Sequence, residues 1–377
     1  MRWKPARRVA DVERTLIRRI FDEAPPDAIN LGLGQPDLPS PPSVSLAGIA
    51  GIARGETGYS STAGDVELRE AIAAGYPGQA SSADGVLITV GSQEAMYLAC
   101  LCLLDPGDEL LYPDPGYPGY ETVGRLVGAR TIPYPLHPDN GFRIRAADIG
   151  QRLSDRTGLV VVCEPSNPTG AISDPAELKL LADRLGNRGI PWVSDEIYAG
   201  YAYERKLTPI WRLAPGGGLV ISGLSKDMSM TGWRIGWVAG EPEIVAKMTA
   251  AHQYLATCAP RVSQTAALGA FSDAGRADRD RYLAMFRRRR ELMGSALDHV
   301  PNIRHNPPDG AFYYFVDVSS HGSSLEIARR ILHNCRVVVI PGEAFGDCGR
   351  GFLRISFAAS EGDIREGVRR IAGELGR

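Results

Sequence analysis

The stretch Ser222-Gly223-Leu224-Ser225-Lys226-Asp227-Met228-Ser229-Met230-Thr231-Gly232-Trp233-Arg234-Ile235-Gly236-Trp237 places a lysine among small residues just after an apolar run, with an arginine eight positions later. Lysine is scarce in this chain, occurring only at 4, 179, 206, 226 and 247, so lysine chemistry has few candidates. A lysine desolvated near another cation has a lowered pKa and can act as a nucleophile toward a carbonyl. Taken alone, Lys226 reads better as a surface loop lysine, the usual place for that residue. Its neighbours change the balance. Short apolar, β-branched runs at 86–90, 109–112, 130–134, 158–163, 191–195, 219–222 and 235–239 alternate with helical patterns at 92–104, 119–127 and 174–187. Such alternation predicts an α/β fold, a mostly parallel central sheet with helices on both faces.

Three further motifs sit just past these runs. Glu164-Pro165-Ser166-Asn167-Pro168-Thr169-Gly170 follows one strand, and Val193-Ser194-Asp195-Glu196-Ile197-Tyr198 carries Asp195 at the end of the next. An Asp there points into the crevice where ligands of open α/β sheets bind. Thr89-Val90-Gly91-Ser92-Gln93-Glu94-Ala95 passes from a strand through a small-residue turn into a helix, whose free amides favour a phosphate. Singly, these read as a turn, a salt-bridged Asp and a helix cap.

Beyond about residue 265 the pattern changes to one long helix over 279–299, strands at 311–318, 336–340 and 352–357, and helices at 324–334 and 361–375, a smaller α+β unit. We expect a segment 1–42 joining that unit, a large domain over 43–265 and a small domain over 266–377. The Gly- and Pro-rich stretch 31–42 crosses between them. The arginine run 287–290 reads as a solvated helix face.

The 42 basic and 44 acidic side chains leave a net charge of −2, which argues against nucleic acid or an acidic membrane as partner. The longest near-continuous apolar stretch, 95–104, is too short to span a bilayer. The start, MRWKPARRVADVERTLIRRI, lacks a signal-peptide apolar region, and six cysteines without a C-x-x-C pair suit a reducing compartment, so we expect a cytoplasmic protein. No H-E-x-x-H, paired-cysteine, G-K-[ST] or complete G-x-G-x-x-G pattern occurs, so no metal or dinucleotide site is expected.

The ordered set GSQEA, NPTG, DEIY, SK-x(7)-R and FLRISFA, with LGLGQPDLPSP, GYSSTAGDVELREAIA, PDPGYPGY and PPDGAFYYF, resembles the class I/II aminotransferases, pyridoxal-phosphate enzymes of fold type I. The resemblance runs from Leu33 to Phe357 and implies a role for each matching residue. Lys226 would carry the cofactor covalently and then shuttle the proton at the substrate Cα. Asp195 would pair with the protonated pyridine nitrogen, and Asn167 and Tyr198 would hydrogen-bond the ring's phenolate oxygen. Ser92, Gln93 and Arg234 would hold the phosphate, and Tyr117 would stack on the ring. Arg354 would grip the substrate α-carboxylate, with Gly34 allowing close backbone approach. Tyr59 resembles a tyrosine reaching the neighbouring subunit's phosphate, which implies a homodimer with shared sites.

Three departures stand out. Gly223 stands where the family often has a phosphate-binding hydroxyl, so either Ser222 or Ser225 compensates or the phosphate has one hydroxyl fewer. Gln93 stands where some aspartate-specific relatives have lysine, which favours neutral or aromatic amino acids with 2-oxoglutarate as the acceptor by analogy. Glu164 stands where many relatives are neutral. The resemblance thus implies a ping-pong transaminase acting on small-molecule amino acids and 2-oxo acids. The alternative is elimination on the same cofactor, as in C–S lyases, or a cyclase of the synthase type. A DNA-binding fusion finds no room before Leu33, and the full site argues against a pseudoenzyme.

Overall fold

The structure is a computed structural model that describes residues 3–10 and 12–376; Met1, Arg2 and Asp11 of the segment 1–42, and Arg377, lie outside the described residues. Seven strands form the main sheet: β1 Val86–Thr89, β2 Glu109–Asp114, β3 Arg130–Pro135, β4 Thr157–Cys163, β5 Trp192–Asp195, β6 Gly218–Gly223 and β7 Gly236–Ala239. Their order is β1-β7-β6-β5-β4-β2-β3. All neighbouring pairs are parallel except those made by β7, which runs antiparallel to both β1 and β6. The connection between β6 and β7, residues 224–235, forms no crossover α-helix, only a turn of 3-10 helix at Thr231–Trp233, and β7 returns antiparallel.

Alternation along the buried strands explains why both faces are covered. Leu110, Leu159, Val161 and Val193 pack with Leu98 and Ala99 of α2 (Ser92–Leu103), Val123 of α3 (Gly119–Val127) and Met248 of α5 (Pro242–Ala256). Leu111, Val160, Val162, Trp192 and Val220 pack on the opposite side with Leu178, Leu181 and Leu185 of α4 (Pro175–Gly186). Successive side chains of a strand point to opposite faces, so an unbroken apolar run such as 159–162 is what a two-sided core needs. Helix α4 begins where Asp174 caps the amide of Ala176 and Pro175 occupies the first turn.

The smaller unit has its own core. A three-stranded antiparallel sheet, ordered Ile340–Pro341, Phe352–Ser356, Tyr313–Asp317, packs with α7 (Asp273–Leu297) and α8 (Glu361–Leu375). Ile29–Asn30 pairs in parallel with Val337–Val338, so the N-terminal segment is stitched to this unit. The long helix starts at Asp273, earlier than the pattern indicated, because Ser272 caps the amide of Gly275. The expected strand over 336–340 is two short pieces.

The arginine run is corrected in part. Arg287 and Arg288 are exposed, but Arg289 is buried and makes a bidentate pair with Asp37 at 2.6 and 3.0 Å. Arg290 donates to the carbonyl of Pro308 and to Glu204. Half of the run therefore fastens other segments. Among the described residues no helix is long and apolar enough to cross a membrane, and no His/Cys/Asp/Glu cluster could hold a metal.

Candidate active site

Sheet register assembles the site. Cys163, Asp195 and Ile221 lie side by side at the carboxyl edge of β4, β5 and β6. Because β7 runs antiparallel, Gly236 lies level with both Gly223 and Thr89. The loop carrying Lys226 and Arg234 and the turn into α2 therefore meet at one edge. A cavity of about 210 Å³ opens there, lined among others by Ser92, Tyr117, Asn167, Asp195, Lys226 and Arg234. Gln93, Tyr198 and Ser225 also line it, whereas Gly34, Arg354 and Tyr59 of the expected set do not.

Lys226 Nζ donates to the carbonyl of Gly34 at 2.7 Å. Burial first, then the Arg354 and Arg234 guanidinium groups, lower its amine to about 8, against the opposing pull of Asp195. Asp195 accepts from the Tyr120 hydroxyl at 2.7 Å and from the amide of Ile197 at 3.2 Å. Burial still raises its carboxyl above the ordinary range. Arg354 donates to Asn167 Oδ1 at 2.8 Å and to the carbonyl of Gly32 at 2.6 Å. Its guanidinium lies over the rings of Tyr313 and Phe345, 4.2 and 4.7 Å from their centroids, and its buried Nε has no partner. Tyr198 and Tyr313 share a hydroxyl–hydroxyl bond of 2.8 Å.

Other expected residues fall as follows. Arg234 sits in the left-handed region at φ 54°, a costly conformation for a residue other than glycine and one that accumulates at functional sites. Its guanidinium covers Gly91, where an added Cβ would come within 2.5 Å of Nη2. Gln93 accepts from the Tyr117 hydroxyl at 3.0 Å. Of the two serines offered in place of a hydroxyl at Gly223, Ser225 lines the cavity, whereas Ser222 Oγ donates to the carbonyl of Glu196 and is turned away. Glu164 has a structural task, since its Oε1 accepts the amide of Ser173 at 2.8 Å, and burial raises it to about 7. Tyr59 is 84% exposed and does not line the cavity of its own chain.

Sequence reasoning missed Tyr120, Cys163 and Tyr313. Tyr120 lies in the same motif as Tyr117, PDPGYPGY, and the rings of the two pack edge to face with centroids 5.5 Å apart. The partner of Tyr313 comes from 115 residues away and had no signal in the sequence.

Comparison with known proteins agrees with this geometry. The sequence profile of the family described as aminotransferase class I and II matches residues 26–371. An aspartate aminotransferase of Pyrococcus horikoshii is 34% identical over 98% of this chain and 97% of its own. A valine–pyruvate aminotransferase of Mycobacterium tuberculosis is 35% identical over 93% of this chain and 91% of its own. The solved structure of Thermus thermophilus aspartate aminotransferase with maleate superimposes with a TM-score of 0.94, at 30% identity and with both chains fully covered. With a family match over nearly its whole length, and with Lys226, Asp195 and Arg234 gathered at one sheet edge, this chain belongs to the class I and II aminotransferases.

Proposed function

We propose that this chain is a pyridoxal 5′-phosphate-dependent transaminase that moves the α-amino group of a neutral or aromatic amino acid to a 2-oxo acid such as 2-oxoglutarate, by a ping-pong reaction. The observation that carries the proposal is the Lys226 amine, depressed to about 8 and sharing one cavity with the Asp195 carboxylate and the Arg234 guanidinium. The residues fit the cofactor. Arg234 and the free amides at the start of α2 offer an anion site, Asp195 a carboxylate for a protonated ring nitrogen, and Lys226 an amine for the carbonyl. Bound there, pyridoxal phosphate supplies an electron sink for deprotonation at the substrate Cα.

The chain's own groups do the rest. Arg354, with Nε unpartnered and its Nη atoms tied to Asn167 and Gly32, is pre-aimed at the α-carboxylate. Asn167 spends its Oδ1 on Arg354, which leaves its Nδ2 hydrogens for the phenolate oxygen. Tyr198, its hydroxyl held by that of Tyr313, would donate to the same oxygen. Lys226, whose amine is lowered to about 8, would serve as the base that takes the Cα proton. Gln93 is neutral, and the cavity's lining cations, Lys226 and Arg234, are already engaged, which supports a substrate side chain without a second carboxylate.

We infer a homodimer with shared sites. Tyr59 projects from its own chain, and Leu46, Ile49 and Ile52 form an exposed stripe along α1 (Pro42–Ala53), 64, 62 and 56% exposed. We assign 1–42 and the C-terminal part to one unit on the pairing of Ile29–Asn30 with Val337–Val338. Helix α6 (Arg261–Phe271) runs across 265 and 266, so we place the division from the large unit at Ser272. The six cysteines, none of them in a C-x-x-C pair, fit work in the cytoplasm.

The test is the visible spectrum of cofactor-loaded protein during addition of single amino acids. Loss of the yellow band with a neutral or aromatic amino acid, and its return with 2-oxoglutarate, is expected. A persistent band with accumulating pyruvate and ammonia would show elimination instead and overturn the proposal.

A further inference from the structure

Behind the anion end of the site lies a buried pair that none of the roles above uses. His252 of α5 is fully buried, and its Nδ1 lies 3.0 Å from Glu94 Oε1; its Nε2 has no partner. Glu94 is the third residue of α2, and its other oxygen, Oε2, accepts the amide of Val90 at 2.6 Å. Both carboxylate oxygens are thus engaged, one by the turn that enters the helix and one by a ring on a different helix. With Glu94 ionised, the proton between the two must reside on Nδ1, so His252 donates.

That turn is the anion cup. Gly91 caps α2 at φ 80°, and the Arg234 guanidinium lies against it. Gly236 closes it from below, since a Cβ there would come within 2.5 Å of the Ser92 nitrogen. A loop of three residues that must aim its amides at an anion gains from being fixed before the anion arrives. Glu94 fixes it through Val90, but a carboxylate so near an anion would also repel it if free to swing inward. His252 holds the carboxylate on the side of α5. We propose that His252 is a positioning residue for the phosphate end of the site, acting through Glu94 on the 90–92 turn. This rests on the reading that the cavity takes pyridoxal phosphate.

The test compares dissociation constants of the full-length protein for pyridoxal 5′-phosphate and for pyridoxal, which lacks the phosphate, with melting temperatures alongside. His252→Leu is expected to weaken pyridoxal phosphate about tenfold and leave pyridoxal within about twofold, the loss of one hydrogen bond to a charged group. His252→Asn, whose Nδ2 falls where Nδ1 lies, is expected to restore most of the phosphate-dependent part. Glu94→Ala, in a partly exposed first turn, should show the same selective loss, and the double variant should lose no more than the worse single one. Equal weakening of both compounds by His252→Leu shows a merely structural ring and overturns the proposal, as does unchanged binding of pyridoxal phosphate. Where His252→Leu does not fold, Glu94→Ala decides, and tighter phosphate binding by it also overturns the proposal. Wild-type protein that binds neither compound is a different result, which sinks the cofactor reading and this inference together.

Discussion

At the scale of single residues, the site depends on second contacts that hold its charged groups in the required state. Asp195 must be an anion at working pH, yet burial pushes its carboxyl upward, and the Tyr120 hydroxyl is the largest force pulling it back. Tyr120→Phe removes that donor without changing the packing of the ring. A carboxylic acid whose pKa rises loses its charge at higher pH, so the acid limb of the rate profile should move upward in pH. At the optimum we expect kcat to fall about ten- to a hundredfold with KM little changed, the worth of a hydrogen bond to a charge made for the reaction step. Steady-state kinetics across pH, with a melting curve to confirm folding, check this. An unmoved acid limb would remove Tyr120 from the machinery. Lys226, Asp195, Asn167 and Arg234 could be picked out as candidates because each falls in a short motif beside a strand end, and Arg354, in mid-strand, only through the resemblance of FLRISFA to a family motif. Tyr120 and Tyr313 were not assigned, and the Glu94–His252 pair could not have been. Their partners lie 75, 115 and 158 residues away and meet only in the fold.

At the scale of elements, legibility follows how each one packs. The inner sheet strands could be read because a strand covered on both faces is an unbroken apolar run, whereas edge strand β3, RTIPYP, is mostly half-exposed and shows only a short β-branched core. Helices α1 and α6 leave no such trace. They meet through small residues: a Cβ on Gly48 would touch Ala266 and Trp233, and one on Gly51 would come within 2.8 Å of Thr265. Ser263, Gln264 and Thr265 are buried, so α6 shows no apolar stripe for periodicity to find. This close approach matters to the site, because Ser40, just before α1, accepts from Trp233 Nε1 and donates to the carbonyl of Ser229 on the lysine loop. Gly269 is the tightest point, where an added Cβ would lie 2.1 Å from the Ser43 carbonyl oxygen. Gly269→Ala must therefore push the helices apart, against any gain from alanine's better helix propensity. We expect about 1–3 kcal/mol of lost stability in denaturant unfolding, the usual cost of overpacking. Neutral or increased stability would show that the two helices separate freely.

At the scale of the whole molecule, the inferred homodimer would complete what one chain leaves uncovered. Arg234 is exposed beside the cavity, and Tyr59 is exposed on its own chain outside that cavity's lining. A twofold axis that carries Tyr59 to the partner's site would solve both, and it would also bury the Leu46, Ile49 and Ile52 stripe. The arrangement makes a quantitative claim that separates shared sites from mere association. A Lys226→Ala chain has no amine, and a Tyr59→Ala chain has no reach into its neighbour, so each pure dimer should be inactive or nearly so at limiting cofactor. In a mixed dimer one site combines Lys226 from one chain with Tyr59 from the other, while the second site has neither. Unfolding and refolding the two variants together in equal amounts makes half of the dimers mixed, so activity should return to about a quarter of wild type. Sites complete within each chain would give no such recovery. A monomer in solution at assay concentration would remove the twofold axis altogether, and with it the reason for Tyr59 to stand where it does.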